Sequence, residues 1–306
     1  MKLYANLHTH STHSDGKFSP AELAKVAYDE GYRAFSVTDH DTVTGNAEGK
    51  AAAEALGMEY IFGAEFRAES GPHIVGFDFD PEYPKMKEYL EQMSFNSAEQ
   101  TRIIFGWAVE KGNIKGITWD EVLKYNEGIS WLCNDHVFRA MLAKGLLTKL
   151  DYYDFFMTNF RSQRGMVPPT YRFLDCEELL ELIHDAGGLV VYAHPHDKID
   201  RVKSLIPLGL DGVEVYHPNM TSEEQRELMK IAYENNLFIS GGTDHAGLCG
   251  GMYASFEEPE KCKFYLEPGS FGVMKQHFDE LKARSLKGRQ PAPEYSVDKP
   301  NLTNQV

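Results

Sequence analysis

The sequence predicts an α/β fold, a barrel of strand–helix units interrupted by an all-helical insertion. Three observations carry that reading. Short apolar runs alternate with helical patterns over residues 1–82 and again over 172–288, the rhythm of βαβ units around a parallel sheet. Residues 83–171 between them hold helical patterns and almost no strand. Histidines and carboxylates fall at the ends of the apolar runs, and in a parallel α/β barrel those ends converge on one rim.

The first run, residues 2–7, reads as a strand and leads into His8-Thr9-His10-Ser11-Thr12-His13-Ser14-Asp15-Gly16. Side chains alternate along an extended strand, so His8 and His10 point the same way. Two imidazoles side by side make a chelate, and the loop behind them brings Asp15 within reach. Ser19-Pro20-Ala21-Glu22 has the spacing of a capping box with Pro at the first helical position. Leu23, Val26 and Ala27 supply the apolar stripe, and Gly31 ends the helix. Residues 33–37 read as a second strand running into Thr38-Asp39-His40-Asp41. A helix over 46–56 stops at Gly57, residues 60–66 form a third strand carrying Glu65, and residues 73–79 a fourth with His73 at its start.

In the insertion, Thr118-Trp119-Asp120-Glu121 is a second capping box, and 134–143 and 151–159 read as short helices. Its aromatics, Trp107, Trp119, Trp131, Tyr152, Tyr153, Phe155 and Phe156, read as a small core of its own. Val167-Pro168-Pro169 marks the return. A helix over 177–185 ends at Gly187-Gly188, and a strand over 189–193 runs into His194-Pro195-His196. After a helix over 198–208, a strand over 212–216 carries Glu214 and ends at His217. Thr221 caps the next helix, to residue 235, and the strand 237–240 leads into Gly241-Gly242-Thr243-Asp244-His245. A last helix covers 271–284, and the polar, proline-bearing residues 289–306 read as a loosely ordered tail.

The chain's formal net charge of −15 counts against a general nucleic-acid-binding surface, which would be basic. A small phosphorylated substrate remains compatible, because bound metal ions invert the local field. Four widely spaced cysteines without a C-x-x-C predict neither a disulfide framework nor a thiolate zinc site. No apolar run approaches the roughly 18 residues that span a bilayer, and no signal-peptide core follows the first lysine. A cytoplasmic protein with no membrane partner is the expectation.

The strand-end residues His8, His10, Asp15, His40, Glu65, His73, His194, Asp244 and His245 form one candidate ligand set. They are too many for one ion, since zinc takes about four ligands and manganese or iron up to about six. A cluster of two or three divalent ions, with Glu65 or Asp244 bridging, is the economical reading. Such a cluster activates water and clamps a phosphoryl group. No nucleophile elbow, Walker A loop or dinucleotide fingerprint competes with it. His13 lies between ligand positions and reads as a solvated or supporting residue, and His196 and His217 as contacts to substrate or to ligands. His184 and His277 lie in helices and read as surface residues.

In chain order, His8-Thr9-His10 with Ser14-Asp15-Gly16, Thr38-Asp39-His40-Asp41, Gly63-Ala64-Glu65, His73-Ile74-Val75-Gly76, Ala193-His194-Pro195 and Gly242-Thr243-Asp244 resemble the motifs of the PHP (polymerase and histidinol phosphatase) family. The resemblance runs from residue 3 to about residue 250, and the insertion and the A-H-P context are most similar to the stand-alone phosphoesterases acting on nucleotides. It implies a distorted (β/α)7 TIM-like barrel with up to three Mn, Zn or Fe ions. By position, His8, His10, Glu65 and Asp244 would hold one ion. Asp15, His40 and His245 would hold a second, and Glu65, His73 and His194 a third. The resemblance further implies that Asp15, His40, Glu65 and His194 carry the catalysis, a hydroxide between ions attacking phosphorus in line and displacing an alcohol. The family's insertion motif R-P-H-x-x-R-A is matched by Asn134-Asp135-His136-Val137-Phe138-Arg139-Ala140, so His136 and Arg139 are implied to bind substrate while Asn134 replaces an arginine. The family's last motif usually reads D-x-H, whereas His245 here follows Asp244 directly.

The expected activity is hydrolysis of a phosphate monoester of a small metabolite, foremost a nucleotide. Two rivals stand beside it. An amidohydrolase-like C–N hydrolase on a similar barrel would commonly use a carboxylated lysine, and no lysine sits at a strand end. A non-catalytic metal-binding regulatory module should have lost several ligands, and this set is nearly complete.

Overall fold

The computed structural model describes residues 3–69, 71–161, 173–196, 198–244 and 271–286. Its first three strands, β1 (Ala5–Asn6), β2 (Ala34–Phe35) and β3 (Glu59–Tyr60), pair in parallel in that order. Helices α1 (Pro20–Asp29) and α2 (Asn46–Ala55) make the crossovers. The Ser19 hydroxyl accepts from the Glu22 N–H while the Glu22 carboxylate accepts from the Ser19 N–H, so both ends of the capping box close. That start points Leu23, Ala24 and Ala27 at Phe35, Val37 and Ala53, one buried cluster.

The apolar run 60–66 does not form the single strand expected of it. It breaks after Tyr60, and β4 (Gly63–Arg67) joins a second sheet with β5 (His73–Phe77), β6 (Leu189–Tyr192), β7 (Gly212–Tyr216) and β8 (Phe238–Gly241), in the order β4-β5-β6-β7-β8. Strands β6, β7 and β8 are parallel, joined through α8 (Ile199–Leu205) and α9 (Ser222–Glu234). Strand β5 runs against both β4 and β6, which corrects the expectation of a wholly parallel sheet. The reason is length. Residues 68–72 are too few for a parallel crossover, which needs about a dozen, so the chain folds back as a hairpin with Arg67 opposite His73. The reversal puts the start of β5 on the rim where β4 ends.

Short sets of backbone bonds link the two sheets. On one side the Asp41 N–H donates to the Glu65 carbonyl at 2.9 Å and the Glu65 N–H to Asp39 O at 3.2 Å. On the other the Leu7 N–H donates to Gly241 O at 3.2 Å and the Asp244 N–H to His8 O at 2.9 Å, so the first and last strands meet. Gly242 permits this approach, because a Cβ there would lie 2.4 Å from His8 N.

Among the described residues 83–161 there is no strand. Helices α3 (Pro84–Glu110), α4 (Trp119–Tyr125), α5 (Asn134–Ala143) and α6 (Tyr152–Asn159) gather Ile104, Phe105, Val137, Phe138 and Phe155 into their own cluster, with Trp107, Trp119 and Phe156 against it. Helix α3 is shared, because Met86, Tyr89 and Met93 in its first half pack instead with Leu179 and Ile183 of α7 (Cys176–Asp185). The expected return at Val167-Pro168-Pro169 and the tail 289–306 lie outside the described residues.

The last helix, α10 (Lys275–Leu286), covers β8 and corrects one expectation: His277 is buried beside Tyr216, and burial lowers its pKa. His184 is half-buried too, with Nε2 2.8 Å from Asp211. Cys133 and Cys176 are free thiols. No described helix is long and apolar enough to cross a membrane.

Candidate metal centre

The rim collects side chains from both sheets around one carboxylate. Glu65, on β4, alternates inward between Ala64 and Phe66, which face the apolar cluster behind the sheet. Its Oε1 lies 2.9 Å from His194 Nε2, 3.0 Å from His73 Nδ1 and 3.4 Å from His8 Nε2. Its Oε2 lies 2.9 Å from His40 Nδ1 and 3.3 Å from His10 Nε2. Five imidazoles thus surround one buried carboxylate. The reversed β5 is what lets His73 join them, since a strand running the other way would carry it to the opposite end.

His8 and His10 point the same way as strand alternation requires, their Nε2 atoms 3.3 Å apart. Asp244 Oδ1 lies 2.9 Å from His10 Nε2 and 3.6 Å from His8 Nε2. Asp15 reaches His40 Nε2 at 3.6 Å and His10 Nδ1 at 3.8 Å. Four groupings have the reach to hold an ion: His8–His10–Glu65, His8–His194–Asp244, His10–Asp15–His40 and His40–Glu65–His73. The eight described residues of the expected ligand set all fall in these groups. His10 accompanies Asp15 and His40. His245 lies outside the described residues.

Backbone strain is concentrated at this rim. Asp41, His194 and Asp244 have φ of 48°, 32° and 50°, in the left-handed region that costs a non-glycine residue energy. Hydrogen bonds hold each in place: Asp41 N to Glu65 O, His194 N to Glu214 Oε2 at 2.7 Å, and Asp244 N to His8 O.

A second layer fixes the ligands. Glu214, on β7, accepts from His8 Nδ1 at 3.1 Å, which leaves His8 Nε2 free to face the centre. His217 is buried, accepts from the Asn219 N–H at Nδ1 and therefore donates from Nε2 to Asp244 Oδ2 at 3.2 Å. Asp39, fully buried, accepts from the Ser11 N–H and hydroxyl and from the Ser14 hydroxyl, each at 2.6 Å, and shapes the opening loop. Asn6 grips Thr243 through its Oδ1 and Nδ2, setting the loop that presents Asp244.

Burial opposes charge on all these groups, and the opposite charges nearby overcome it. Burial pulls His8 down, but Glu214, Glu65 and Asp244 hold it well above its ordinary pKa. Burial would likewise raise Glu65, but His73, His8 and His40 hold it well below the usual carboxylate range. The cage therefore draws positive charge. His10 Nδ1 and Glu65 Oε2 are buried without a well-directed hydrogen bond, although imidazoles crowd the latter. Convergent nitrogen and carboxylate donors with unmet lone pairs suit divalent cations.

The remaining expected residues lie elsewhere. His196 is half-buried, with Nδ1 2.9 Å from Glu224 Oε1. His13 Nδ1 bonds Thr44 at 2.8 Å, outside the four groupings. On α5, His136 and Arg139 are buried under the opening loop. His136 Nδ1 accepts from the Cys133 N–H, so its Nε2 donates to Thr12 O at 3.1 Å. Burial and Arg139 hold this imidazole well below its ordinary pKa, hence neutral. Arg139 donates to the carbonyls of Gly16, of Ser14 at 3.2 Å and of Thr12 at 3.5 Å. Sequence reasoning did not gather Glu214 into the site, although a carboxylate inside the apolar strand Gly212-Val213-Glu214-Val215-Tyr216 is a usable signal.

Comparison with known proteins agrees with this geometry. The model of the PHP domain matches residues 6–230. A 5'-3' exoribonuclease of Haemophilus influenzae is 31% identical over 257 residues, covering 80% of this chain and 90% of that protein. A 3',5'-nucleoside bisphosphate phosphatase of Chromobacterium violaceum is 28% identical over 275 residues, covering 84% and 93%. Among solved structures, one from Bifidobacterium adolescentis assigned as a metal-dependent phosphoesterase superposes with a TM-score of 0.72 at 24% identity, covering 92% of this chain and 96% of that one.

Proposed function

Since this chain belongs to the PHP domain family of metal-dependent phosphoesterases, we propose that it hydrolyses a phosphate monoester of a small metabolite, foremost a nucleotide. The observation that carries this reading is the convergence of five imidazoles on Glu65 with Asp15 and Asp244 beside them. In this reading the two linked sheets are one distorted (β/α)7 barrel, spanning 1–82 and 172–288, with the helical insertion at 83–171.

Two or three divalent ions, Mn, Zn or Fe, would be held by His8, His10, Asp15, His40, Glu65, His73, His194 and Asp244, with His245 as a further candidate. When bound, such ions acidify water and neutralise charge on phosphoryl oxygens. The chain's own residues divide the work by depth. His8, His10 and Glu65 are about 1% exposed and form the floor. His40, His73, His194, Asp15 and Asp244 are 20–36% exposed and face the mouth, where substrate arrives. Asp15, His40, Glu65 and His194 are the residues assigned to the reaction. Glu214 and His217 orient ligands, and His196, on the rim, is left for substrate.

Phosphate release from nucleoside monophosphates and bisphosphates by the Mn-loaded protein tests the reading, with loss expected on chelation and in His8→Ala and Asp244→Ala. No release from a broad panel of phosphate esters would sink it. The 31% identical exoribonuclease supports a second reading, in which the leaving alcohol belongs to an RNA chain. Digestion of a 5'-phosphorylated oligoribonucleotide to mononucleotides would favour it, against the net charge of −15.

A further inference from the structure

Trp131 is only 5% exposed, yet it belongs to none of the four apolar clusters of the described residues. Its ring neighbours are two imidazoles instead: His40 at 6.0 Å between centroids, and His136 at 6.4 Å, edge-on. Its indole Nε1 is buried with no hydrogen-bond partner. Buried indole N–H groups normally find an acceptor, and one left without is destabilising. The segment is held firmly, because the Ser97 and Thr101 hydroxyls of α3 both donate to the next carbonyl, Leu132 O, at 2.8 and 3.0 Å. Trp131 is thus an insertion aromatic placed at the metal centre rather than in the insertion's core.

An indole N–H donates and cannot accept, so what completes it is an acceptor. Neighbouring side chains of the insertion direct their terminal N–H groups elsewhere, although Arg139 Nε also lacks a partner. Arg139 serves the loop carbonyls, and Asn134 Nδ2 serves Asp135 and Tyr152. Resting on the phosphoesterase reading, we propose that Trp131 is a substrate-binding residue, its N–H donating to a phosphoryl oxygen of the ester bound on the His40 side of the centre. A hydrogen bond to an anionic oxygen is among the stronger ones available to a neutral donor.

The test uses the zinc-loaded full chain with nitrogen-15 in its three tryptophans. Trp131→Phe removes the N–H, keeps an aromatic ring and identifies the Trp131 indole resonance by its loss. Addition of inorganic phosphate should move that resonance and leave those of Trp107 and Trp119 in place. Trp131→Phe should bind phosphate about tenfold more weakly, about 1.4 kcal/mol, with unchanged metal content. In turnover the deficit should appear in KM rather than kcat. If none of the three indole resonances of the wild-type protein moves, the proposal is overturned even if Trp131→Phe fails to fold, as it is by wild-type phosphate affinity in a folded Trp131→Phe. If phosphate moves the resonance but no ester is hydrolysed, the proposal stands and the phosphoesterase reading falls.

Discussion

Glu214 Oε1 lies 3.1 Å from His8 Nδ1, joining two buried residues 206 positions apart in the sequence. The same carboxylate accepts from the His194 backbone at 2.7 Å, so one side chain fixes an imidazole's tautomer and a strained turn together. Glu214→Gln lacks the charge and keeps one acceptor oxygen, so its NH2 must face either His8 Nδ1 or the His194 N–H. Its metal affinity should fall about 10–100-fold, read by titration against a chelator, with the circular dichroism spectrum unchanged. Wild-type affinity would remove Glu214 from the site.

Arg139 holds the opening loop by three backbone carbonyls. Hydrogen bonds from a charged group contribute about 1.5–3 kcal/mol each and are not additive. Arg139→Ala should lose about 3 kcal/mol in urea unfolding and retain less metal, because Asp15 lies within the released loop. Arg139→Lys should recover only part of both losses, since an ammonium lacks the fork of the guanidinium.

Gly242→Ala sets a methyl against the His8 backbone, where a Cβ would stand 2.4 Å from the nitrogen. Neither backbone can yield without opening the contact between β1 and β8. A loss of about 3 kcal/mol or more is expected, together with weakened metal binding. A variant of wild-type stability would show that this contact is looser than drawn.

Glu30 ends α1, and burial raises its pKa to about 7 from the ordinary 4.5. The folded state therefore holds the proton more tightly than the unfolded chain does. That contribution to stability is complete below about pH 4.5 and is lost as pH rises through about 7. Glu30→Gln should exceed the wild type by about 1 kcal/mol at pH 8, after discounting for the solvent that reaches the carboxyl, and match it at pH 4. Urea midpoints at the two pH values decide, and equal differences at both would contradict the sign.

The sequence made the ligands legible because they lie within, at the ends of or just beyond apolar runs, and it made the helix starts legible because Ser19, Thr118 and Thr221 are followed three residues later by glutamate. Strand direction was not legible at β5. An apolar run has the same period in either sense, and only the short span 68–72 betrayed the hairpin. Glu214 was visible as a residue but not as a partner, since its significance depends on His8 at the other end of the chain. Trp131 resembled the other insertion aromatics because composition does not say which ring turns to the core and which to the rim. His136 and Arg139 sit where the motif indicates, yet their polar atoms face the loop's carbonyls, a preference no spacing encodes.

The joining of β1 to β8 has a consequence for biosynthesis. His8 and His10 leave the ribosome more than two hundred residues before Asp244, whose N–H donates to the His8 carbonyl. A nascent chain can form the Glu65–His73 hairpin early and still lack the closing carboxylate until residue 244 has emerged. The grouping His8–His194–Asp244 is therefore the last to be completed, and a product truncated before Asp244 lacks it while keeping the residues of the other three.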